Sequence, residues 1–228
     1  MSLSETRTKA LQEGLQQAID GADTTLGIQT AQAALAEGAS PLEFFQGVVE
    51  PVLTDIGDRF ARLEIFLPEL MKAGLVVKAV QQQVLEPAIR NSSAESSSLG
   101  TVVIGTCQGD IHDIGKNMVA LMLQVNGFKV VDLGTNVSPR GFIDAARREE
   151  ADIIALSSLL TPSMPYIKDV INLLNGFGLR ERFLVVAGGA PVTREWAQTV
   201  GADGFGEDAV EAVDVCRKLM AERRRKTA

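Results

Sequence analysis

Asn91-Ser92-Ser93-Ala94-Glu95-Ser96-Ser97-Ser98-Leu99-Gly100-Thr101-Val102-Val103-Ile104-Gly105 is the stretch that decides how this chain is read. Its first ten residues have little to bury and read as a linker. The five after them, Thr101–Gly105, are short, continuous and rich in valine and isoleucine, as a parallel strand buried on both faces must be. The seam therefore predicts a helical region over 1–90, a linker over 91–100 and an α/β domain over 101–228.

Downstream of the seam, apolar runs alternate with amphipathic segments. Further strands are expected at Lys129–Leu133, Asp152–Leu156, Phe183–Ala187 and Gly204–Phe205, with helices near 115–126, 139–149, 164–175, 192–200 and 207–221. Repeated β-α units of this kind predict a doubly wound, flavodoxin- or Rossmann-like five-stranded parallel sheet. Ligands of such sheets bind beyond the carboxyl ends of the strands, so loops 106–115, 133–138, 157–163 and 188–192 are where chemistry is sought.

Upstream of the seam no strand pattern is present. Leu11, Leu15, Ala18 and Ile19 recur at helical spacing, as do Ala31, Ala34 and Leu35. Ser40-Pro41, with Glu43 following, reads as an N-cap with proline at the first helical position. Pro51 is expected to open a helix through Leu53, Ile56 and Phe60, and Pro68 one through Leu70, Leu75 and Val76. Short helices of this kind must pack on one another as a small bundle.

Composition excludes several classes. The 228 residues carry a formal net charge of −7, which argues against nucleic acid as the main partner. No apolar run approaches the roughly 20 residues of a membrane span, and the first residues lack the apolar core of a secretory signal. Cys107 and Cys216 form no metal-type or redox-type pair, which fits a reducing cytoplasm.

The first strand-end loop reads Thr106-Cys107-Gln108-Gly109-Asp110-Ile111-His112-Asp113-Ile114-Gly115-Lys116-Asn117. Its glycine spacing is wrong for a phosphate loop, Asn117 stands where serine or threonine is required, and Asp110 and Asp113 would repel a phosphate. No G-x-G-x-x-G follows the first strand, and the third strand ends at Ser157-Ser158, not at the aspartate a phosphoacceptor domain needs.

His112, the only histidine, stands two residues after Asp110. Imidazole is a common metal ligand, and a carboxylate on its other nitrogen fixes the tautomer. One histidine cannot build a structural zinc site. A metal there would need its other ligands from elsewhere, such as a macrocycle; the plain alternative is a surface histidine near a helix start, and the local residues leave both open. Ser157, Ser158, Thr161 and Ser163 cluster beyond the third strand, where Ser163 could simply cap the helix that follows. Gly188-Gly189-Ala190-Pro191 reads either as a tight turn or as a place where backbone approaches a bulky ligand. Cys107 reads as a buried thiol, Met118, Met164, Tyr166 and Trp196 as packing residues, and Arg223-Arg224-Arg225-Lys226 as a solvated tail complementing a helix dipole.

Taken together, these motifs resemble those of cobalamin-binding domains. Asp110-Ile111-His112-Asp113-Ile114-Gly115 is similar to their D-x-H-x-x-G, Ser157-Ser158-Leu159 to their S-x-L, and Gly188-Gly189 to their paired glycines. Phe66-Leu67-Pro68-Glu69-Leu70-Met71 resembles the F-L-P-E-L-M of the helical cap in methionine synthase and in corrinoid proteins of anaerobic methyltransferase systems. The chain departs from the cap pattern at Arg62-Leu63-Glu64, where a glycine is usual.

The resemblance implies roles. His112 would be the lower axial cobalt ligand, displacing the cofactor's own base, with Asp110 on its distal nitrogen and Ser163 completing the relay. Asp110, Ile111, Asp113, Ile114 and Leu159 would adjoin the cofactor, and its displaced tail would enter a slot lined by Gly109, Gly115, Ser157, Thr161, Gly188, Gly189, Gly206 and Ala209. Phe66, Leu67, Leu70 and Met71 would cover the upper corrin face. The implied protein is a methyl carrier cycling between cob(I)alamin and methylcobalamin, or a related corrinoid, and not catalytic alone. Its implied partners are a donor-specific methyltransferase, an acceptor methyltransferase using tetrahydrofolate or a thiol coenzyme, and a reductive activator. An adenosylcobalamin-dependent isomerase subunit, a cobalamin sensor and a flavodoxin-like module of other ligand are the rival readings.

Overall fold

The computed structural model describes residues 4–91 and 99–227. The chain divides into two compact units, Met1–Ser92 and Ser93–Ala228. Most of the serine-rich linker, 92–98, lies outside the described residues.

The first unit is helical throughout its described residues: α1 (Glu5–Asp20), α2 (Thr24–Ala36), α3 (Pro41–Phe44), α4 (Glu50–Ala61), α5 (Leu67–Val80) and α6 (Glu86–Asn91). Leu11, Leu15, Ala18 and Ile19 form the buried stripe of α1, and Ala31 and Ala34 that of α2. Ser40 caps α3 as expected, its hydroxyl accepting from the Glu43 amide while the Glu43 carboxylate accepts from the Ser40 amide.

Pro51 does not open a separate helix. The helix runs on from α3 into α4 through a wide π-type turn at Phe45–Val49, and Val49 and Glu50 keep helical dihedrals. Proline has no N–H for the Gly47 carbonyl, and its ring would press on the preceding turn. The wide turn relieves the ring, and Gln12 Nε2 donates to the Gly47 oxygen at 2.8 Å. A second wide turn, Gln81–Leu85, precedes Pro87 between α5 and α6 in the same way. Phe60 and Leu75 are exposed, whereas Val52, Ile56, Val76, Val77 and Val80 fill the core.

The second unit is a sheet of β1 (Thr101–Thr106), β2 (Lys129–Asp132), β3 (Ile153–Ser157), β4 (Leu184–Gly188) and β5 (Gly204–Gly206), all parallel, in the order β2-β1-β3-β4-β5. Its helices are α7 (Ile114–Val125), α8 (Pro139–Arg148), α9 (Pro165–Gly176), α10 (Arg194–Val200) and α11 (Ala209–Thr227). Alternate strand residues point to opposite faces. Val103, Ile154, Leu156 and Val185 pack with α8, α9 and α10, while Val102, Ile104, Ile153 and Val186 pack with α7 and α11. Each fully buried Val, Leu, Ile or Phe contributes roughly 1.5–3 kcal/mol, so two such faces hold the sheet without help from the sparse aromatics.

The chain end is tied down more than a solvated tail would be. Arg223 donates to the carbonyls of Asp152 and Arg182, and Arg224 to that of Leu99. Among the described residues no helix is long and apolar enough to cross a membrane.

Candidate functional site

In the order β2-β1-β3 the chain leaves β1 toward one edge and β3 toward the other, so the loops after β1 and β3 diverge and open a crevice at their carboxyl ends. The register sets Thr106, Ser157, Gly188 and Gly206 side by side at that edge. The His112 loop enters the crevice from β1 and the Ser157–Ser163 loop from β3.

Asp110 is the hub. Its side chain is 0% exposed, yet every approach to its carboxylate is a donor. Oδ1 accepts from the His112 amide at 3.0 Å and faces His112 Nδ1 at 2.6 Å; Oδ2 accepts from the amides of Leu159 at 2.6 Å and Leu160 at 3.2 Å and from Ser163 Oγ at 3.3 Å. Burial alone would raise this carboxyl, but the amides of His112 and Leu159 and the His112 imidazole outweigh it and hold Asp110 below the usual carboxylate range.

An ionised carboxylate only accepts, so the proton between the two side chains sits on Nδ1. The neutral imidazole then carries its lone pair on Nε2. His112 is 47% exposed in its side chain, so that nitrogen has access to a ligand. Thr106 Oγ1 donates to the His112 carbonyl at 2.8 Å and holds the turn from below.

Ser163 does not cap α9. Its hydroxyl lies against the Leu160 carbonyl at 2.8 Å, Asp110 Oδ2 and, at 2.6 Å, Ser158 Oγ, and both serines are buried. His112, Asp110, Ser163 and Ser158 thus form one connected polar chain. Ile111, Leu159 and Leu160 are exposed beside it, with Ile111 at 75%, and leave an apolar rim around the imidazole.

The paired glycines satisfy the protein's own backbone. A Cβ on Gly189, whose φ is +113°, would sit 2.0 Å from the Ser158 carbonyl oxygen, and one on Gly188 would sit 2.8 Å from that of Gly206. The close approach at these glycines is between neighbouring strand ends of the protein itself. Gly115 differs, because a Cβ there would meet nothing within 4 Å. Ser157 is half-buried, Thr161 exposed, and Gly206 and Ala209 buried where β5 passes into α11; Asp113 and Ile114 lead into α7.

Phe66, Leu67 and Met71 belong to the helical unit, where they are exposed on the first turns of α5, Phe66 at 66%; Leu70 is half-buried. Leu63, in the segment that lacks the usual glycine, has a φ of +61° and is 76% exposed. A left-handed residue here explains why glycine suits the position.

Sequence reasoning missed Asn136, which accepts from the Gly109 amide through Oδ1, and the pair of buried Lys116 with exposed Asp132 at 2.6 Å. Both act through backbone or a distant strand end, which no local motif advertises. Cys107 is buried, and burial followed by the charge of Asp110 pushes its thiol up to about 12. It is therefore inert at neutral pH.

The site suits a metal that brings its other ligands with it. Among the described residues no three His, Cys, Asp or Glu side chains gather as a metal site. A single tautomer-fixed imidazole within an apolar rim, with open space at Gly115, has the chemistry to receive a corrin-bound cobalt.

Residues 100–214 match a family model described as B12 binding domain, and residues 11–83 match a second model of that description. The chain is 38% identical to trimethylamine corrinoid protein 1 of Methanosarcina acetivorans over 89% of its own length and 94% of the relative's. Among solved structures it resembles the monomethylamine corrinoid protein of Methanosarcina barkeri, with TM-score 0.85 and 31% identity, covering 92% of this chain and 99% of that one. It also resembles a chain of the methanol:cobalamin methyltransferase complex of that organism, with TM-score 0.52 and 26% identity, covering 97% and 86%.

Proposed function

The chain belongs to the B12-binding corrinoid proteins and binds a corrinoid cofactor, and from that premise we propose that it is a methyl carrier whose His112 is the lower cobalt ligand. Cobalamin, when bound, supplies a cobalt that takes a methyl group from one partner and yields it to another. The observation that supports the reading is the imidazole of His112 with Nδ1 against ionised Asp110.

The chain's own residues do the rest. Asp110, kept ionised by the amides of His112 and Leu159 and by the imidazole beside it, holds that imidazole in the tautomer that presents Nε2. Ser163 donates to the second carboxylate oxygen, and Ser158 holds Ser163. Ile111, Leu159 and Leu160, exposed beside the imidazole, offer apolar surface for the corrin to cover. The slot residues Gly109, Gly115, Ser157, Thr161, Gly188, Gly189, Gly206 and Ala209 remain assigned to the displaced tail, and the exposed turn of Phe66, Leu67, Leu70 and Met71 to shielding the transferred group.

A carrier works between two transferases, one for the donor and one for the acceptor, with a reductive activator to restore a spent cofactor. The relative named for trimethylamine and the structure named for monomethylamine make a methylated amine the donor to try first.

Because the chain has one histidine, growth on ¹⁵N-histidine labels one side chain. The electron paramagnetic resonance spectrum of the cob(II)alamin-loaded protein is expected to show a two-line nitrogen splitting. A three-line splitting from unlabelled nitrogen would show that the cofactor keeps its own base and would overturn the axial assignment.

A further inference from the structure

We propose that Asn136 is a positioning residue for the axial histidine, holding the His112 turn in ligating geometry before any cofactor arrives. The inference rests on the reading of His112 as the cobalt ligand and extends it to a residue of a different loop.

The turn from Gly109 to His112 belongs to no regular element, and Gly109 itself has a φ of +80°. A segment of this kind keeps one shape only if its backbone groups find fixed partners. Asp110 and Thr106 take the N–H and C=O of His112. Asn136 takes two groups at the start of the turn: its Oδ1 accepts from the Gly109 amide at 2.8 Å, and its own amide donates to the Asp110 carbonyl at 3.0 Å. Asn136 does this at a φ of +55°, a conformation in which asparagine is several-fold enriched.

A clamp positions nothing unless its own base is fixed, and this base is fixed on both sides. Leu133 donates to the Ile104 carbonyl at 2.8 Å, Thr106 to the Gly134 carbonyl at 2.9 Å and Val137 to the Thr106 carbonyl at 2.9 Å. Asp132 accepts from the Gly134 amide at 2.9 Å and from the buried Lys116 ammonium at 2.6 and 2.7 Å. The 133–138 loop is thus laced to β1, and the Asn136 side chain reaches from it to the neighbouring turn. Loss of the clamp moves the cost of ordering the imidazole into the ligation step.

The test uses the full chain with Asn136→Gly, which keeps the left-handed backbone open but removes Oδ1, and Asn136→Asp, which keeps an acceptor. In cofactor-free wild type, hydrogen exchange should find the Gly109 amide protected, and ¹⁵N-histidine resonance should find the single Nδ1–H tautomer. With N136G that protection should fall about three- to ten-fold, as befits one hydrogen bond, and the ratio of histidine-ligated to unligated cob(II)alamin should fall by a similar factor. N136D should restore both to within about two-fold of wild type.

An unprotected Gly109 amide in wild type overturns the proposal whether or not N136G folds, and so does an N136D that behaves like N136G. A three-line splitting in loaded wild type overturns the axial reading and with it the ligating role. That failure is told apart from failure of the clamp because Gly109 protection is read without cofactor.

Discussion

The turn that carries His112 and the turn that carries Phe66 both expose apolar side chains, and they are built in opposite ways. In the first, Ile111, Leu159 and Leu160 stand on a backbone whose groups are tied to Asp110, Thr106 and Asn136. In the second, Phe66, Leu67 and Met71 stand on an exposed helix start held by the Glu69 carboxylate on the Phe66 amide, and Leu63 before it is in a left-handed conformation that leucine disfavours. The nitrogen we propose as a ligand must arrive at a defined distance and angle, so its support is polar and directional. The surface we propose as a cover needs only area, because hydrophobic burial is non-directional.

The contrast breaks most readily at Asp110. Asp110→Ala leaves the amides of His112, Leu159 and Leu160 without their acceptor, at a cost of about 3–5 kcal/mol. Thermal melting of the cofactor-free protein should show a midpoint lower by on the order of 10 °C. A shift of a degree or two would show that the hub is dispensable.

The thiols sharpen the comparison, since Cys107 underlies the His112 loop and Cys216 lies on α11, and burial pushes each up to about 12. Neither should react with a disulfide reagent at pH 8 until the protein is unfolded. Unfolded thiols ionise near their ordinary value of 9.0 while the native ones keep their protons. Their share of stability is therefore complete below pH 9 and is lost as pH rises toward 12, with a slope of up to about 1.4 kcal/mol per pH unit for each thiol. Denaturant titrations from pH 8 to 10.5 should show the decline, and Cys107→Val should remove about half of the thiols' share, leaving that of Cys216; an unchanged slope in that variant would refute a dry site under the loop.

The smallest effect belongs to the apolar turn. Leu63→Gly should raise stability by about 0.5 kcal/mol, since relief of the left-handed strain exceeds the entropy glycine adds to the unfolded chain. The histidine splitting of the loaded protein should not change. A destabilised L63G would mean that the leucine side chain holds the turn after all.

The strands were legible because continuous Val and Ile runs admit one environment, and the motif loops fell at their carboxyl ends for the same reason. His112 and Asp110 were legible as a pair because their chemistry is written in side-chain types two residues apart. The second carboxylate oxygen of Asp110 was not, because its partners at Leu159 and Leu160 are amides that any residue possesses. Asn136 and the Lys116–Asp132 pair were hidden by sequence distance. In the helical unit Pro51 read as a helix start because the common rule for proline takes no account of a wide turn upstream.

Those wide turns have a consequence for counting along the chain. Phe44, Val48, Val52 and Ile56 are buried at a strict spacing of four, and so are Val77, Gln81, Leu85 and Ile89. In a regular α-helix each such step overshoots one turn by about 40°, so after three steps the stripe would have drifted about 120° off its face. A π-type turn absorbs one residue without adding a turn, and the remaining eleven spread over three turns at close to the α-helical period. The spacing of four is thus the written trace of an inserted residue. Removing one residue between Phe45 and Val49 would close the wide turn to a regular one, leaving Val52 and Ile56 on the core face but pressing the Pro51 ring against the preceding turn.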